Sequence, residues 1–340
     1  MTSRNMRLKA DARPRPGPLL LAPVGKDSLW GGSRLNDDFS KGIDMSPLAE
    51  TWECSTHPDG LSTVASGAFR GRTLRSVLQE HPEFAGTHPD ISNGLPILVK
   101  LIDARMDLSV QVHPDDAYAR EHENGSLGKT EMWYVLDALK GTRLVYGFYH
   151  DESPADVRRS LADGTIEKLL HKVPVRKDDV FFIPAGRIHA LGAGALVAEI
   201  QQSSNLTYRL YDYNRLDKYG KPRELHVDKA LDVAKLQGSR EPRQPMRVLH
   251  FGKGQASEFL CRCKYFQVER VLVNTERIRE LAELQTGSNS FQVLLFTEVC
   301  GTLFWEDESI NCFRGDCFFV PADSARIRLH GKATFLKISC

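Results

Sequence analysis

Asp179-Val180-Phe181-Phe182-Ile183-Pro184-Ala185 returns later in the chain as Asp316-Cys317-Phe318-Phe319-Val320-Pro321-Ala322. In each copy a short, β-prone apolar run follows a polar turn residue, and a proline closes it because its ring nitrogen cannot donate to a ladder. Each copy predicts a strand. A second pair stands upstream: Glu131-Met132-Trp133-Tyr134-Val135-Leu136, followed by Gly141-Thr142, matches Phe291-Gln292-Val293-Leu294-Leu295-Phe296, followed at the same distance by Gly301-Thr302. Two matched signals in the same order indicate one β-rich fold used twice. The second copy carries Phe291 in place of Glu131 and Arg326 in place of His189. It keeps the scaffold and loses the polar groups.

Upstream of both lies Leu108-Ser109-Val110-Gln111-Val112-His113-Pro114-Asp115-Asp116. Its alternation predicts a strand with Ser109, Gln111 and His113 on one face and Leu108, Val110 and Val112 on the other. Pro114 and the two aspartates read as a turn or helix start, so His113 falls at a strand mouth. His113, Glu131 and His189 are thus expected at three strands or strand ends. Two imidazoles and a carboxylate without thiolate suit zinc, with manganese, iron or cobalt also possible. A single histidine on an apolar strand is more often a satisfied core residue. The joint loss of Glu131 and His189 from the second copy favours ligands here.

The chain has 340 residues, enough for two or three domains. Its 45 Lys and Arg against 44 Asp and Glu leave no global field to recruit nucleic acid or an acidic membrane, so an anionic ligand must be held by local cations. Seven cysteines without a CxxC pair argue against a disulfide framework and against a thiolate zinc site. They read as free thiols of a reducing compartment, and the expected location is the cytoplasm. Residues 1–17 read as a flexible basic leader, since Pro18-Leu19-Leu20-Leu21-Ala22-Pro23 is too short for a signal core or a membrane span. Helical spacing appears at Arg72–Leu78, within 154–171 and over Arg223–Ala234. His57, beside Pro58-Asp59-Gly60, reads as turn chemistry. Lys100, inside the apolar run Leu95–Ala104, reads first as a snorkelling side chain on a half-exposed strand.

Pro184-Ala185-Gly186-Arg187-Ile188-His189 resembles the second cupin motif, and the order His113, Glu131, Gly141 resembles a spread-out first one. Cupins are small double-sheet β-barrels with a metal at the mouth. Ser109–Asp116, Gly128-Lys129-Thr130-Glu131, Ile183–Ala190 and Glu199–Arg209 together resemble the type I mannose-6-phosphate isomerase family in its short bacterial form, from about Trp30 to the C-terminus. The expected fold is mainly β, two tandem cupin-like jelly-roll barrels with helical insertions: a catalytic domain over 18–238 and a degenerate one over 239–340. The resemblance implies zinc-dependent interconversion of mannose 6-phosphate and fructose 6-phosphate. It also implies Gln111, His113, Glu131 and His189 as ligands of one ion, and Arg209 as an active-site arginine. Asn205 stands where the family commonly has aspartate, and Tyr213 where tryptophan is common.

Such an isomerisation moves a proton between C2 and C1 through an enediol, with a metal polarising the sugar oxygens and a cation such as Arg209 stabilising oxyanion character. Lys129 and Glu199 are both candidates for the proton carrier. Ser109, Lys100 and Lys129 are candidate phosphate contacts, although the lysines equally suit strand-edge solubility charges. The bland reading of Arg209 is a rim arginine paired with Glu199 or Asp212. Two other functions use the same residues: an iron-dependent cupin oxygenase and a sugar-binding cupin without turnover. The expected partner is a small sugar phosphate, and the chain is expected to be a monomer or weak homo-oligomer.

Overall fold

The strands of both copies are apolar on two sides because each copy lies in a sheet that is packed on both of its faces. The structure, a computed structural model, describes residues 15–217, 219–243, 248–278 and 280–340. Residues 1–14 of the expected leader lie outside these. Among the described residues the fold is mainly β, with three antiparallel sheets of six, five and ten strands.

The six-stranded sheet runs, in spatial order, Val180–Ile183, Glu131–Ala138, Ala195–Gln202, Ile97–Asp103, Glu50–Cys54 and Val24–Lys26. Opposite it, the five-stranded sheet runs Tyr208–Tyr211, Val110–Val112, His189–Leu191, Arg143–Phe148 and Leu170–Pro174. Between them Trp133, Val135, Ile102, Ile183, Val197 and Leu191 form one buried cluster. Met132, Tyr134, Leu136, Val99, Leu101, Ala198 and Ile200 face the other way, into a cluster shared with the C-terminal strands. A six-stranded sheet covered on both faces therefore shows continuous apolar runs instead of clean alternation. The five-stranded sheet turns Val110, Val112, Ala190, Tyr208 and Leu210 outward beneath the helices Pro154–Ala162 and Val227–Val233.

Together with Leu19–Ala22 and Thr63–Val64, eight C-terminal strands form a ten-stranded sheet built on two long members, Gln292–Trp305 and Ile327–Ser339. A bulge between Phe296 and Glu298 bends this pair. Val293, Leu295, Leu336 and Ile338 pack against the first barrel, while Leu294, Phe296, Leu303, Phe318 and Phe335 fill the interior of the second unit. Each such fully buried side chain contributes about 1.5–3 kcal/mol.

The sequence repeat thus lies in equivalent strands, but two N-terminal segments join the C-terminal sheet, Thr63–Val64 at its edge through Leu19–Ala22. Leu19–Ala22 pairs with the C-terminal strand Cys317–Val320, not with the first barrel. Leu19 and Leu21 join the shared cluster, and Leu20 packs against the interior of the second unit. Three successive leucines suit a strand buried on both faces. The end of the leader is tied down as well, since the Pro16 carbonyl accepts a hydrogen bond from the Ala325 amide at 3.1 Å.

Candidate functional site

Strand alternation delivers the site. Ile97–Asp103, Glu131–Ala138 and Ala195–Gln202 pair so that Gln201 lies opposite Glu131 and Glu199 opposite both Lys100 and Trp133. On the facing sheet Gln111 pairs with His189 and with Arg209. The polar member of each alternation points into the barrel, and Gln111, His113, Glu131, His189, Lys100 and Glu199 meet there.

His113 follows Val110–Val112 as expected, and Asp115 caps the helix Asp116–His122 by accepting from the Tyr118 amide at 2.9 Å. Leu108 departs from the expected face. It precedes the strand, where a bulge between Arg209 and Tyr211 interrupts the ladder, and it packs into the barrel interior.

His113, Glu131 and His189 are all buried, with ligand atoms within 4.8 Å of one another. His113 Nε2 lies 3.6 Å from Glu131 Oε2, and His189 Nε2 lies 3.3 Å from Glu131 Oε1. Oε2 also meets Lys129 Nζ at 2.8 Å, whereas Oε1 has no hydrogen-bond donor. The Nδ1 of His189 sits 2.8 Å from the Arg187 carbonyl, which can only accept, so the proton resides on Nδ1 and the Nε2 lone pair faces the carboxylate. Burial first, then Lys129, push His113 far below the usual imidazole range. Burial takes His189 down to about 4. Neutral imidazoles and a buried carboxylate aimed at one point are an acceptor-only set, and the residues fit a divalent metal. The Gln111 amide lies 3.5 Å from His189 Nε2, close enough for its oxygen to join after an amide rotation.

Beside this set, separated from it by Gln111 and Lys129, lies a cavity of about 350 Å³ whose walls also include Lys100, Ser109, Glu199, Arg209 and Arg223. Lys129 Nζ stands 2.8 Å from Glu131 Oε2, 3.2 Å from His113 Nε2 and 3.9 Å from Glu199 Oε1. Lys100 does not snorkel. It is 4% exposed and bridges Glu199 at 3.2 Å and Glu50 at 3.4 Å, over the Trp52 ring. Burial would lower its pKa, but Glu50 and Glu199 outweigh burial and hold it charged. Burial raises Glu131, as does Glu199 nearby. For Glu199 itself Lys129 and Lys100 overcome burial and bring the carboxyl down to about 2, and Trp133 Nε1 donates to its Oε2 at 2.8 Å.

Arg209 has neither of the carboxylate partners expected of a rim residue. Asp212 accepts instead from Arg223 Nε at 2.8 Å and Arg215 Nη2 at 2.5 Å. Arg209 donates from Nη1 to the Glu224 carbonyl at 2.7 Å, and its buried Nε has no partner. Asn205 also borders the cavity, and its amide donates to Asp59 at 2.9 Å. His57 is the turn residue its neighbours suggest, with Nδ1 3.2 Å from the Asp59 amide. Glu50, Trp30 and Arg223 enter the cavity wall without a signal in the chain strong enough to single them out. Only the alternation of Glu50-Thr51-Trp52 hints at the first.

The family model for the phosphomannose isomerase type I catalytic domain matches residues 19–139. The mannose-6-phosphate isomerase ManA of Bacillus subtilis is 39% identical over 74% of this chain and 78% of its own length. YvyI of the same organism is 37% identical over 94% of the chain and 98% of its own. The chain belongs to the type I phosphomannose isomerase family. The crystal structure of the mannose 6-phosphate isomerase from Bacillus subtilis, 36% identical, superposes with a TM-score of 0.87 over 96% of this chain and all of that one. The cupin reading of the double-sheet barrel agrees with this family assignment.

Proposed function

We infer that this chain is a metal-dependent aldose–ketose isomerase that interconverts mannose 6-phosphate and fructose 6-phosphate. The observation that carries the reading is the buried set of His113, Glu131 and His189 beside a cavity whose wall brings Lys100, Lys129, Arg209 and Arg223 together with Glu50 and Glu199, in a chain of this family. Zinc suits the donor set, with Gln111 as a fourth ligand, and when bound it would polarise the sugar oxygens as a Lewis acid.

The chain's own groups divide the remaining work. Glu199 is held ionised by Lys129 and Lys100, and its Oε1 lies between their ammonium groups, 3.9 Å from the first and 3.2 Å from the second, so it suits the base that carries the proton between C2 and C1. Lys129 reaches Glu131 and the neighbourhood of Glu199, and it suits the proton shift between the two sugar oxygens. Arg209, with a free buried Nε, stabilises oxyanion character in the enediol. Ser109 offers a hydroxyl to the phosphate. Lys100 is already shared between two carboxylates, so it serves the phosphate less directly than its position in the chain suggests.

Among the described residues no helix is long and apolar enough to cross a membrane. The proposed setting is the cytoplasm, with the enzyme a monomer or weak homo-oligomer. A coupled assay of fructose 6-phosphate formation on chelator-stripped protein tests the reading. Turnover restored by zinc is the expected result. Folded protein inactive with every divalent metal would favour a sugar-binding module.

A further inference from the structure

Among the described residues of the second unit no metal-ligand cluster is found, yet one of its side chains reaches the aspartate that braces the segment carrying Lys129 and Glu131. Tyr265 sits in the hairpin turn between Gln255–Arg262 and Gln267–Asn274, closed by a 3.0 Å bond from the Cys263 amide to the Phe266 carbonyl. The adjacent Phe266 is buried in the shared cluster and anchors that turn to the first barrel. From there the Tyr265 hydroxyl donates to Asp116 Oδ2 at 2.8 Å.

Asp116 spends its other oxygen on the active segment. Its Oδ1 accepts from the Gly128 amide at 2.9 Å and from Gln202 Nε2 at 2.8 Å, and Gln202 Oε1 in turn accepts from the Thr130 amide at 2.9 Å. The Lys129 amide donates to the Pro114 carbonyl at 3.0 Å, and the Gly186 amide to the His113 carbonyl at 2.9 Å. The residues on either side of Lys129 are therefore fixed from one aspartate, beside the turn that presents His113. Contact is close enough that a Cβ on Gly128 would lie 2.5 Å from the Asp115 carbonyl carbon and the Asp116 amide.

We propose that Tyr265 and Asp116 are positioning residues through which the C-terminal unit sets the Gly128–Glu131 segment, and with it Lys129 and the metal ligand Glu131. The inference rests on the isomerase reading for its effect on turnover. Outer partners that orient ligands commonly matter about 10- to 100-fold in metal affinity or activity. Tyr265, acting one bond further out, is expected at the lower end.

The test compares full-length, zinc-loaded wild type with Tyr265→Phe, Asp116→Ala and Asp116→Asn. Four quantities are read: kcat and KM with mannose 6-phosphate, the rate of zinc transfer to a chromophoric chelator, and Tm. Asp116→Ala is expected to lower kcat about 10-fold with KM within about twofold, and to speed zinc release by a similar factor. Asp116→Asn should restore part of both, because its oxygen still accepts from Gly128 and Gln202. Tyr265→Phe, which removes one oxygen and leaves the fold able to form, should give about a threefold change in the same direction. Variants that lose Tm alone, with kcat and zinc release unchanged, would overturn the proposal and leave the contact purely structural. A wild type that holds zinc without turnover would sink the isomerase reading, while the zinc-release comparison would still decide the positioning role.

Discussion

The two β units carry matched strands with opposite contents. In the first, Glu131 opens a strand into a chamber of charges; in the second, Phe291 holds that place, fully buried and stacked on Phe319 with ring centroids 5.1 Å apart. His189 is buried against Glu131, whereas Arg326 has a side chain 63% exposed beside Glu283. Charges inside the fold cost desolvation and must be offset by partners, and here Lys100 and Lys129 face Glu131 and Glu199. An interior of Leu294, Phe296, Phe318 and Phe335 needs no such compensation. One unit gives up packing for chemistry, and the other supplies packing on both of its faces.

Glu131→Gln is the sharpest way to break that division. It keeps the shape and removes the charge that faces both histidines, so zinc content should fall below one per chain. Losing several kcal/mol of charge stabilisation corresponds to turnover about 10³-fold lower or worse. Metal analysis beside the coupled assay checks both. Normal zinc content in this variant would contradict the ligand assignment. The counterpart in the second unit is Phe296→Ala, which empties a site packed edge-on against Phe318 and tilted against Phe335. A stability loss of about 3–5 kcal/mol is expected in denaturant titrations, with turnover per folded molecule within about twofold. A large fall in turnover per folded molecule would mean that the second unit does more than pack and position.

Much of this division could be read from the chain, because it is written in local alternation. Glu131-Met132-Trp133-Tyr134 states which residues face the chamber, and the repeat at Phe291 states where the chamber is absent. Less legible were features that depend on distant cover. Leu19–Ala22 reads as a start to the first domain, but its two-sided burial is completed only by Cys317–Val320. Lys100 reads as a surface lysine because sequence does not show that Glu199 and Glu50 converge on it from neighbouring strands. From the chain alone Arg209 also reads as a rim arginine paired with Glu199 or Asp212, because Arg215 and Arg223 take the Asp212 carboxylate only once the turn after it is folded. The long-range bond from Tyr265 to Asp116 leaves no local trace at either residue.

Within the chamber, Lys129→Met separates proton transfer from metal holding. Loss of a positioned acid–base group typically lowers turnover by about 10²-fold or more. Zinc should stay bound, since Glu131 loses only an ion-pair partner and the ligands remain. An unchanged rate and affinity with mannose 6-phosphate would remove Lys129 from both the catalytic and the phosphate roles.

The smallest expected effect probes the charge cluster at the edge of the chamber, which has no counterpart in the apolar interior of the second unit. Burial would raise Asp212, but hydrogen bonds from Arg223 and Arg215 outweigh it and hold the carboxyl below the usual range. A carboxylate whose folded pKa is depressed binds fewer protons when folded, so its stabilising contribution is present above the unfolded value, near about 4. It is lost as pH falls through the folded one. Asp212→Asn should therefore cost about 1.5–3 kcal/mol at neutral pH, the range for hydrogen bonds to a charged group. The gap between variant and wild type should narrow only below about pH 4. Urea titrations at a series of pH values measure it directly. A gap that stayed constant down to the lowest pH at which the protein folds would show that the two arginines are held by their other contacts, and that the carboxylate's charge is not what ties them to the cavity wall.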